Sequence, residues 1–197
     1  MLLARRRRLF GGRAARSQGA LRRPSVFQPS RVRPRDAHRG GGRRGRHDRL
    51  GLRPNGGKDY AAKLRFLESL EGYARAAKEA GREILLCGDL NVARTDQDVH
   101  PKERKAGAIG QREDERALFE GILAQGLVDV GRTLDPDNEG LFTWWAPWRN
   151  LRQRKIGWRI DYVLASASLA RRATACAVRA DVGTSDHAPI VADFSPA

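Results

Sequence analysis

The first 53 residues contain no lysine and no glutamate, and the whole chain has little cysteine. Neither of its two cysteines, Cys87 and Cys176, has CxxC or other metal-ligand spacing, which excludes a cysteine metal site. Both lie in apolar surroundings, so two buried free thiols in a reducing compartment are expected rather than a disulfide. No stretch is long and apolar enough to span a membrane, so the chain is expected to be soluble, without a membrane partner.

Charge divides the chain in two. Residues 1–53 hold 17 Arg and only two acids, Asp36 and Asp48, so this Arg-rich arm accounts for the whole formal net charge of +15. The remaining 144 residues carry 21 basic and 21 acidic residues. A folded domain is therefore expected over residues 54–197, with the arm as a separate segment.

The Arg-rich arm is dense in Arg, Gly and Pro and has no hydrophobic periodicity. Such a segment cannot bury enough apolar surface to offset its ordering entropy, so it is predicted to be disordered. Three interpretations stay open: a GC-rich coding region translated out of frame, an arm that neutralises nucleic-acid phosphates, or a mitochondrial targeting segment. A bacterial-type cytoplasmic location is expected ahead of a mitochondrial one.

From residue 54 onward the pattern is typical of a folded α/β protein. Asp59 is placed to cap a helix that ends at Ala80, and a second helix is predicted over 114–125. The residues expected to be buried on these helices are Leu64, Leu67, Leu70, Ala74 and Ala77 on the first, and Leu118, Ile122 and Leu123 on the second. Extended segments are predicted at 84–87, 127–130, 142–145, 158–164, 176–179 and 190–194.

Two polar side chains follow the apolar run at 84–87. Side chains alternate across a strand, so Asp89 and Asn91 leave it on the same face and can converge on one ligand. A carboxylate and an amide in that position can share one phosphate. Taken alone, the pair also fits an ordinary turn or helix cap.

Two further acids and a histidine complete the candidate set. Asp161 lies inside an otherwise apolar strand, and because a buried carboxylate is costly without a partner, it is expected to face a cation or a histidine. Asp186 and His187 share a loop, although Ser-Asp-His alone also fits a loop without a function. Together these groups can activate water, neutralise charge and hold phosphoryl oxygens, which phosphodiester cleavage requires.

Five segments in order resemble the exodeoxyribonuclease III and abasic-site (AP) endonuclease family of the endonuclease/exonuclease/phosphatase superfamily. They are Pro54-Asn55-Gly56-Gly57-Lys58-Asp59-Tyr60, Gly88-Asp89-Leu90-Asn91-Val92, Thr143-Trp144-Trp145, Gly157-Trp158-Arg159-Ile160-Asp161-Tyr162 and Ser185-Asp186-His187-Ala188-Pro189. The resemblance runs from about residue 54 to residue 194. It implies an α/β (α+β) fold, a four-layered α-β-β-α sandwich of two sheets covered by helices.

The resemblance also implies an activity and its residues. The reaction would be metal-dependent hydrolysis of the DNA backbone 5′ to an abasic site, with 3′-to-5′ exonuclease activity. Asp89 would activate water, Asn91 and His187 would contact the phosphate, and Asp161 would orient His187. Mg²⁺, or Mn²⁺ in its place, would lie near Asp186, Asp89 and Asn91.

The expected partner is duplex DNA with abasic sites or 3′ ends, bound by a monomer. By the same resemblance, Asn55 would contact phosphate, and Trp144, Trp158 and Arg159 would contact DNA. The segments around residues 54–58 and 158–161 resemble the branch of the superfamily that acts on DNA.

Two parts of the family pattern have no counterpart in this chain. One is the opening strand with Trp-Asn-x-Asn-Gly, and the other is the Gln-Glu pair whose glutamate is the principal metal ligand, since no glutamate precedes Glu68. The N-terminal half of the fold is therefore predicted to be missing or replaced, and little or no nuclease activity is expected. The alternatives are a superfamily phosphatase or phosphodiesterase with a non-DNA substrate, and a non-catalytic nucleic-acid-binding fragment that depends on the arm.

Overall fold

The computed structural model describes the backbone of residues 25–27, and residues 57 and 59–196 in full. Its strands are β1 (Ser25–Phe27), β2 (Ile84–Asp89), β3 (Leu127–Asp129), β4 (Asp161–Ser166), β5 (Ala173–Val178) and β6 (Ile190–Phe194). Its α-helices are α1 (Tyr60–Glu79), α2 (Glu113–Ala124), α3 (Val130–Leu134) and α4 (Ala167–Ala170). None of these helices is long and apolar enough to cross a membrane.

Helix α1 begins and ends where its sequence predicts. Asp59 caps it by accepting the Ala62 N–H at 2.8 Å, and Gly81 follows its C-cap with a φ of +61°, which favours glycine. The buried stripe differs at one position: Lys63 occupies the core, while Leu64 is only half-buried. Lys63 lies four residues before Leu67, so it shares the helix face of the apolar stripe.

The larger sheet has the strand order β1-β2-β4-β3, in which β1 runs parallel to β2 and the β2–β4 and β3–β4 pairs are antiparallel. Strand β2 confirms the core strand predicted at 84–87 and extends it to Asp89. A second sheet consists of β5 and β6, paired antiparallel. The prediction for 190–194 is confirmed, whereas β5 begins three residues before the predicted segment at 176–179.

Alternation along β2 and β4 gives the larger sheet two apolar faces. Ile84, Leu86 and Leu164 pack with α1 and α2 on one face. Leu85 and Val163 face the other way, toward a cluster that includes residues of β5 and β6. The described residues therefore form helices, a sheet and a second sheet, in keeping with the predicted mixed α/β class; the four-layer arrangement stays a prediction.

Helix α2 is confirmed within one residue of its predicted ends, but its buried face is rotated. Leu118 and Leu123 are only half-buried, while Glu115 and Phe119 are wholly buried beside Ile122. The reason is packing across the sheet, because the Phe119 ring lies 4.6 Å from the Tyr162 ring.

The strand predicted over 142–145 is wrong. Trp144 forms only isolated bridges, with Trp158 and His187, because this segment bonds to loops rather than to a neighbouring strand. For the same reason β4 begins at Asp161 and not at 158. The loop predicted over 93–110 contains two short 3₁₀ turns, Asp96–Asp98 and Pro101–Glu103.

Within the Arg-rich arm the structure describes only β1, which pairs with β2 through the register Ser25 to Ile84 and Phe27 to Leu86. Disorder is therefore the wrong prediction for these three residues. The rest of the arm is also predicted to be disordered, but it lies outside the described residues. The same holds for Asn55.

Candidate active site

Strands β2 and β4 bring two carboxylates to one edge of the larger sheet. Asp89 is the last residue of β2 and Asp161 the first of β4, and the two are partners in the antiparallel register. Both side chains are half-buried. Two residues far apart in sequence thereby meet at the same point of the sheet.

Asn91 turns back over Asp89. Its backbone has a φ of +54°, a left-handed conformation that asparagine adopts more readily than most residues. Its backbone N–H donates to Asp89 Oδ1 at 2.7 Å, and its Nδ2 donates to Asp89 Oδ2 at 2.9 Å. The carboxylate of Asp89 is therefore held in one orientation by the residue predicted to act beside it.

His187 and Asp161 form the hydrogen-bonded pair that the resemblance implies. His187 Nδ1 lies 2.9 Å from Asp161 Oδ2, and the side chains are 31% and 15% exposed. Burial lowers the pKa of His187, but the hydrogen bond and charge of Asp161, with the charges of Asp89 and Asp186, outweigh it, so the pKa is raised above 6.5. The site therefore favours an imidazolium whose Nε2 is left for a ligand.

Two tryptophans stand beside these acids. Trp144 and Trp158 meet edge to face, with ring centroids 5.9 Å apart and an interplanar angle of 84°. Trp144 Nε1 donates to Asp186 Oδ2 at 2.9 Å. Burial alone would raise the pKa of Asp186, but the Trp144 hydrogen bond and the His187 charge outweigh burial, so the pKa is lowered below its ordinary value.

These side chains share one cleft of about 480 Å³. Its lining consists of Asp89, Asn91, Ile109, Gly110, Trp144, Trp158, Ile160, Asp186 and His187. Six of the predicted site residues are thus brought together, and Asp161 adjoins them through His187. A larger cleft of about 640 Å³, lined by residues between 96 and 116, contains none of the predicted residues.

Arg159 is the predicted DNA contact that the structure contradicts. It is 3% exposed, and its guanidinium pairs with Asp98 at 3.1 Å and with Asp129. It also lies over the Tyr162 ring, 4.6 Å from the centroid. An arginine so enclosed fixes the start of β4 and cannot reach DNA, because the surrounding acids take up its charge and donors.

Thr143 begins one of the five segments of the resemblance, but its role in the site is not readable from the sequence. It is fully buried, and its hydroxyl oxygen accepts the backbone N–H groups of Ile160 and Asp161, both at 3.0 Å. Its carbonyl accepts the Ala188 N–H at 2.7 Å. Thr143 therefore ties Asp161 to the loop that carries His187.

The described residues do not complete a metal site. Among residues 57 and 59–196, no group of three His, Cys, Asp or Glu side chains lies close enough to hold an ion. The carboxylates of Asp89 and Asp186 already accept hydrogen bonds from Asn91 and Trp144. Asp89, Asn91 and Asp186, the residues that the resemblance implies near Mg²⁺ or Mn²⁺, all line the cleft, and their oxygens are ligands that such ions prefer.

Comparison with protein families now identifies the lineage. The model of the endonuclease/exonuclease/phosphatase family matches residues 5–187. The chain belongs to this family. The match includes much of the Arg-rich arm, where the sequence shows none of the motifs of the resemblance.

The relatives are nucleases. The chain is 42% identical over 132 residues to an exodeoxyribonuclease of Bacillus subtilis, which covers 67% of this chain and 51% of the relative. An AP endonuclease from Archaeoglobus fulgidus has a similar structure, with a TM-score of 0.66, 32% identity, and coverage of 74% of this chain and 60% of that one. The chain thus spans about half the length of the curated relative.

A third relative is the 3′ phosphatase NExo from Neisseria, whose structure contains a product DNA hairpin. Its TM-score is 0.64 at 30% identity, and the superposition covers 69% of this chain and 54% of that one. The AP endonuclease and exonuclease fold is therefore shared by relatives with different DNA-end chemistry.

Proposed function

We propose that the cleft hydrolyses phosphodiester bonds of DNA. The observation that carries this proposal is the convergence of the Asp89–Asn91 pair and the Asp161–His187 pair on one cleft. One pair offers a carboxylate for water, and the other offers a cation for phosphate. Both demands of phosphodiester hydrolysis can thus be met at a single bound phosphate.

His187 binds the scissile phosphate in this proposal. With Nδ1 turned to Asp161, Nε2 is the ring nitrogen left to donate to a phosphoryl oxygen. The raised pKa of His187 supports this role, because the Asp161 carboxylate stabilises the cationic form of the ring. Charge that develops on the phosphoryl oxygens would then meet a fixed donor rather than mobile water.

Asp89 takes the proton of the attacking water. Its carboxylate is oriented by the two Asn91 hydrogen bonds, so its geometry is set before substrate arrives. The Asn91 side-chain oxygen takes no part in those two hydrogen bonds, and in this proposal the Asn91 amide contacts the same phosphate.

Duplex DNA with abasic sites or 3′ ends is the proposed substrate. The relatives support this, because they include an exodeoxyribonuclease, an AP endonuclease and a 3′ phosphatase seen with a product DNA hairpin. Trp144 and Trp158 form an aromatic wall beside the acids, suited to a displaced sugar or an unpaired strand end.

We further infer that this chain is a slow nuclease. No glutamate precedes Glu68, so the principal metal ligand implied by the family pattern is absent from the sequence. The described part of the chain offers no replacement cluster. Loss of a carboxylate ligand at such a metal site can remove several kcal/mol of transition-state stabilisation, which would slow the reaction.

A substrate panel under enzyme excess tests the proposed function. Abasic-site duplex, duplex with a 3′-phosphate, and a small soluble phosphate monoester are each incubated with the chain and with His187→Ala. Abasic-site duplex is expected to be cut fastest, and His187→Ala to abolish cutting. His100→Ala, a histidine outside the cleft, is the matched control and should cut normally; preference for the monoester would refute the DNA substrate.

A further inference from the structure

Lys63 occupies a core position on α1. It is 1% exposed, and its ammonium contacts Glu115 of α2, which is wholly buried. Burial lowers the pKa of Lys63, and the hydrogen bond and charge of Glu115 oppose that shift. A buried ammonium needs such partners, because an unpaired charge in the interior is strongly destabilising.

The same ammonium holds the Asn91 turn from below. Lys63 Nζ donates to the Asn91 backbone carbonyl oxygen at 2.5 Å. Because Asp89 accepts from the Asn91 backbone N–H and side-chain Nδ2, the left-handed residue is fixed at three atoms. Of these two partners of Asn91, Asp89 belongs to β2 and Lys63 belongs to α1, so Lys63 ties the turn to the helix.

Glu115 fixes the part of the cleft wall next to Asn91. Its Oε2 accepts the backbone N–H of Gly110 at 2.7 Å and that of Arg112 at 3.2 Å. Gly110 has a φ of +90°, and a Cβ there would lie 3.0 Å from the Trp158 ring and 3.2 Å from the Asn91 carbonyl oxygen. Gly110 therefore packs directly between Trp158 and the Asn91 turn.

Net stability does not account for this pair. Replacing a buried ion pair by neutral side chains of similar volume is often neutral or stabilising, because desolvation offsets the attraction. What the pair does provide is a link between the Asn91 turn and the Gly110 wall, in addition to the hydrogen bond that the Ala93 N–H donates to the Gly110 carbonyl oxygen at 2.7 Å. Asn91 and Gly110 both line the cleft. Lys63 and Glu115 contact them through backbone atoms, so the effect of the pair is tested by substituting Lys63 and Glu115.

We propose that the buried Lys63–Glu115 pair is a positioning device that sets Asn91 and Gly110 at the spacing a bound phosphodiester requires. This inference rests on the proposed function of the cleft. Lys63 and Glu115 touch no substrate; they act through the backbone of Asn91 and Gly110. Their loss should therefore lower kcat far more than it raises KM, because a misplaced contact affects the transition state more than initial binding.

The decisive variant is the double substitution Lys63→Met with Glu115→Gln. It removes both charges while keeping the buried volume and an amide oxygen for the Gly110 N–H. We expect its urea midpoint to stay near that of the wild type. We expect kcat for abasic-site duplex to fall by about 10- to 100-fold, with KM changed by no more than about threefold.

Amide resonances provide a second readout that does not need catalysis. In ¹⁵N–¹H spectra the Asn91 side-chain amide and the Gly110 backbone amide should both shift in the double variant. Lys78→Met, which removes an exposed lysine of the same helix, is the matched control and should leave kcat and both amides unchanged. If the double variant does not fold, Glu115→Gln alone should shift the same two amides.

The outcomes separate this inference from the proposed function. Wild-type kcat and unmoved amides in the double variant would overturn the positioning role. A wild-type chain that cuts no DNA would overturn the proposed function, while the amide shifts would still decide whether the pair positions the turn. If the double variant lost stability and the Lys78→Met control lost as much kcat as the double variant, the fall in kcat would be a folding effect. That result would overturn the inference.

Discussion

At the scale of single residues, Asp161 determines the charge state of His187. Burial alone would lower the pKa of His187, and the Asp161 hydrogen bond and charge are the first of the contributions that raise it. Asp161→Asn should therefore move the pKa of His187 down, which ¹H chemical shifts of the ring measured against pH would report. A His187 pKa that does not move would show that Asp89 and Asp186 control it instead.

The same shift gives stability a pH dependence with a definite sign. The folded-state pKa of His187 lies above 6.5, the ordinary value, so the folded state binds the proton more tightly than the unfolded state. The contribution of His187 to stability is therefore fully present below pH 6.5 and is lost as the pH rises through the folded-state pKa. Urea unfolding at several pH values should show this slope in the wild type and a smaller one in His187→Gln.

Gly157 is a position where space, rather than backbone freedom, requires glycine. A Cβ there would lie 2.5 Å from Trp145 Nε1 and 2.7 Å from the Trp144 carbonyl oxygen. Gly157→Ala should destabilise the fold by roughly 1–3 kcal/mol, since the crowded indole and backbone must move.

Gly72 supplies the control for that substitution. It lies in α1, and a Cβ there would meet no atom within 4 Å. Gly72→Ala should stabilise the chain by roughly 0.5–1 kcal/mol, because alanine is the better helix former. Equal effects of the two substitutions in urea unfolding would contradict the steric account of Gly157.

At the scale of elements, the segment around Thr143 joins β4 to the His187 loop. Thr143→Val keeps the shape but leaves the N–H groups of Ile160 and Asp161 without their acceptor, which should cost about 1–3 kcal/mol of unfolding free energy. Thr174→Val, at an exposed threonine of β5, should stay within about 0.5 kcal/mol of the wild type. Similar losses at the two positions would show that the buried hydroxyl contributes nothing special.

The elements that the sequence predicts well are those with a local cause. The cap at Asp59 and the apolar run at 84–87 each lie within a few residues, so the pattern alone indicates the helix and the strand. The bridges of Trp144 depend on Trp158 and His187, which come from other parts of the chain. Local β-propensity was therefore misleading over 142–145.

In the candidate site, too, the sequence predicts the features that have a local cause and misses those that depend on distant residues. The two-residue spacing of Asp89 and Asn91 is readable from the sequence and predicts that they converge. They meet through the left-handed turn at Asn91 rather than by strand alternation, because β2 ends at Asp89. The burial of Arg159 depends on Asp98 and Asp129, whose positions no local pattern gives. Lys63 gives a weak signal, because it lies four residues before Leu67 and continues the buried stripe of α1, but a lysine at such a position does not itself indicate burial.

At the scale of the whole molecule, the larger sheet is the support of the site. One of its faces carries α1 and α2, the other faces β5 and β6, and the cleft lies at the edge where β2 ends and β4 begins. Every predicted cleft residue reaches that edge from a strand end or from a loop anchored there. The family resemblance, confirmed by the match over residues 5–187, therefore has a clear structural basis.

The measurement that tests this account most directly is single-turnover cleavage of a duplex with one abasic site, in Mg²⁺. It compares the chain with Asp89→Asn, with Asp181→Asn as a surface control, and with the AP endonuclease from Archaeoglobus fulgidus. We expect cleavage about 10²- to 10³-fold slower than that of the Archaeoglobus fulgidus enzyme, lost in Asp89→Asn and kept in Asp181→Asn. Cleavage that survives Asp89→Asn, or a wild-type rate no higher than that variant's background, would contradict it.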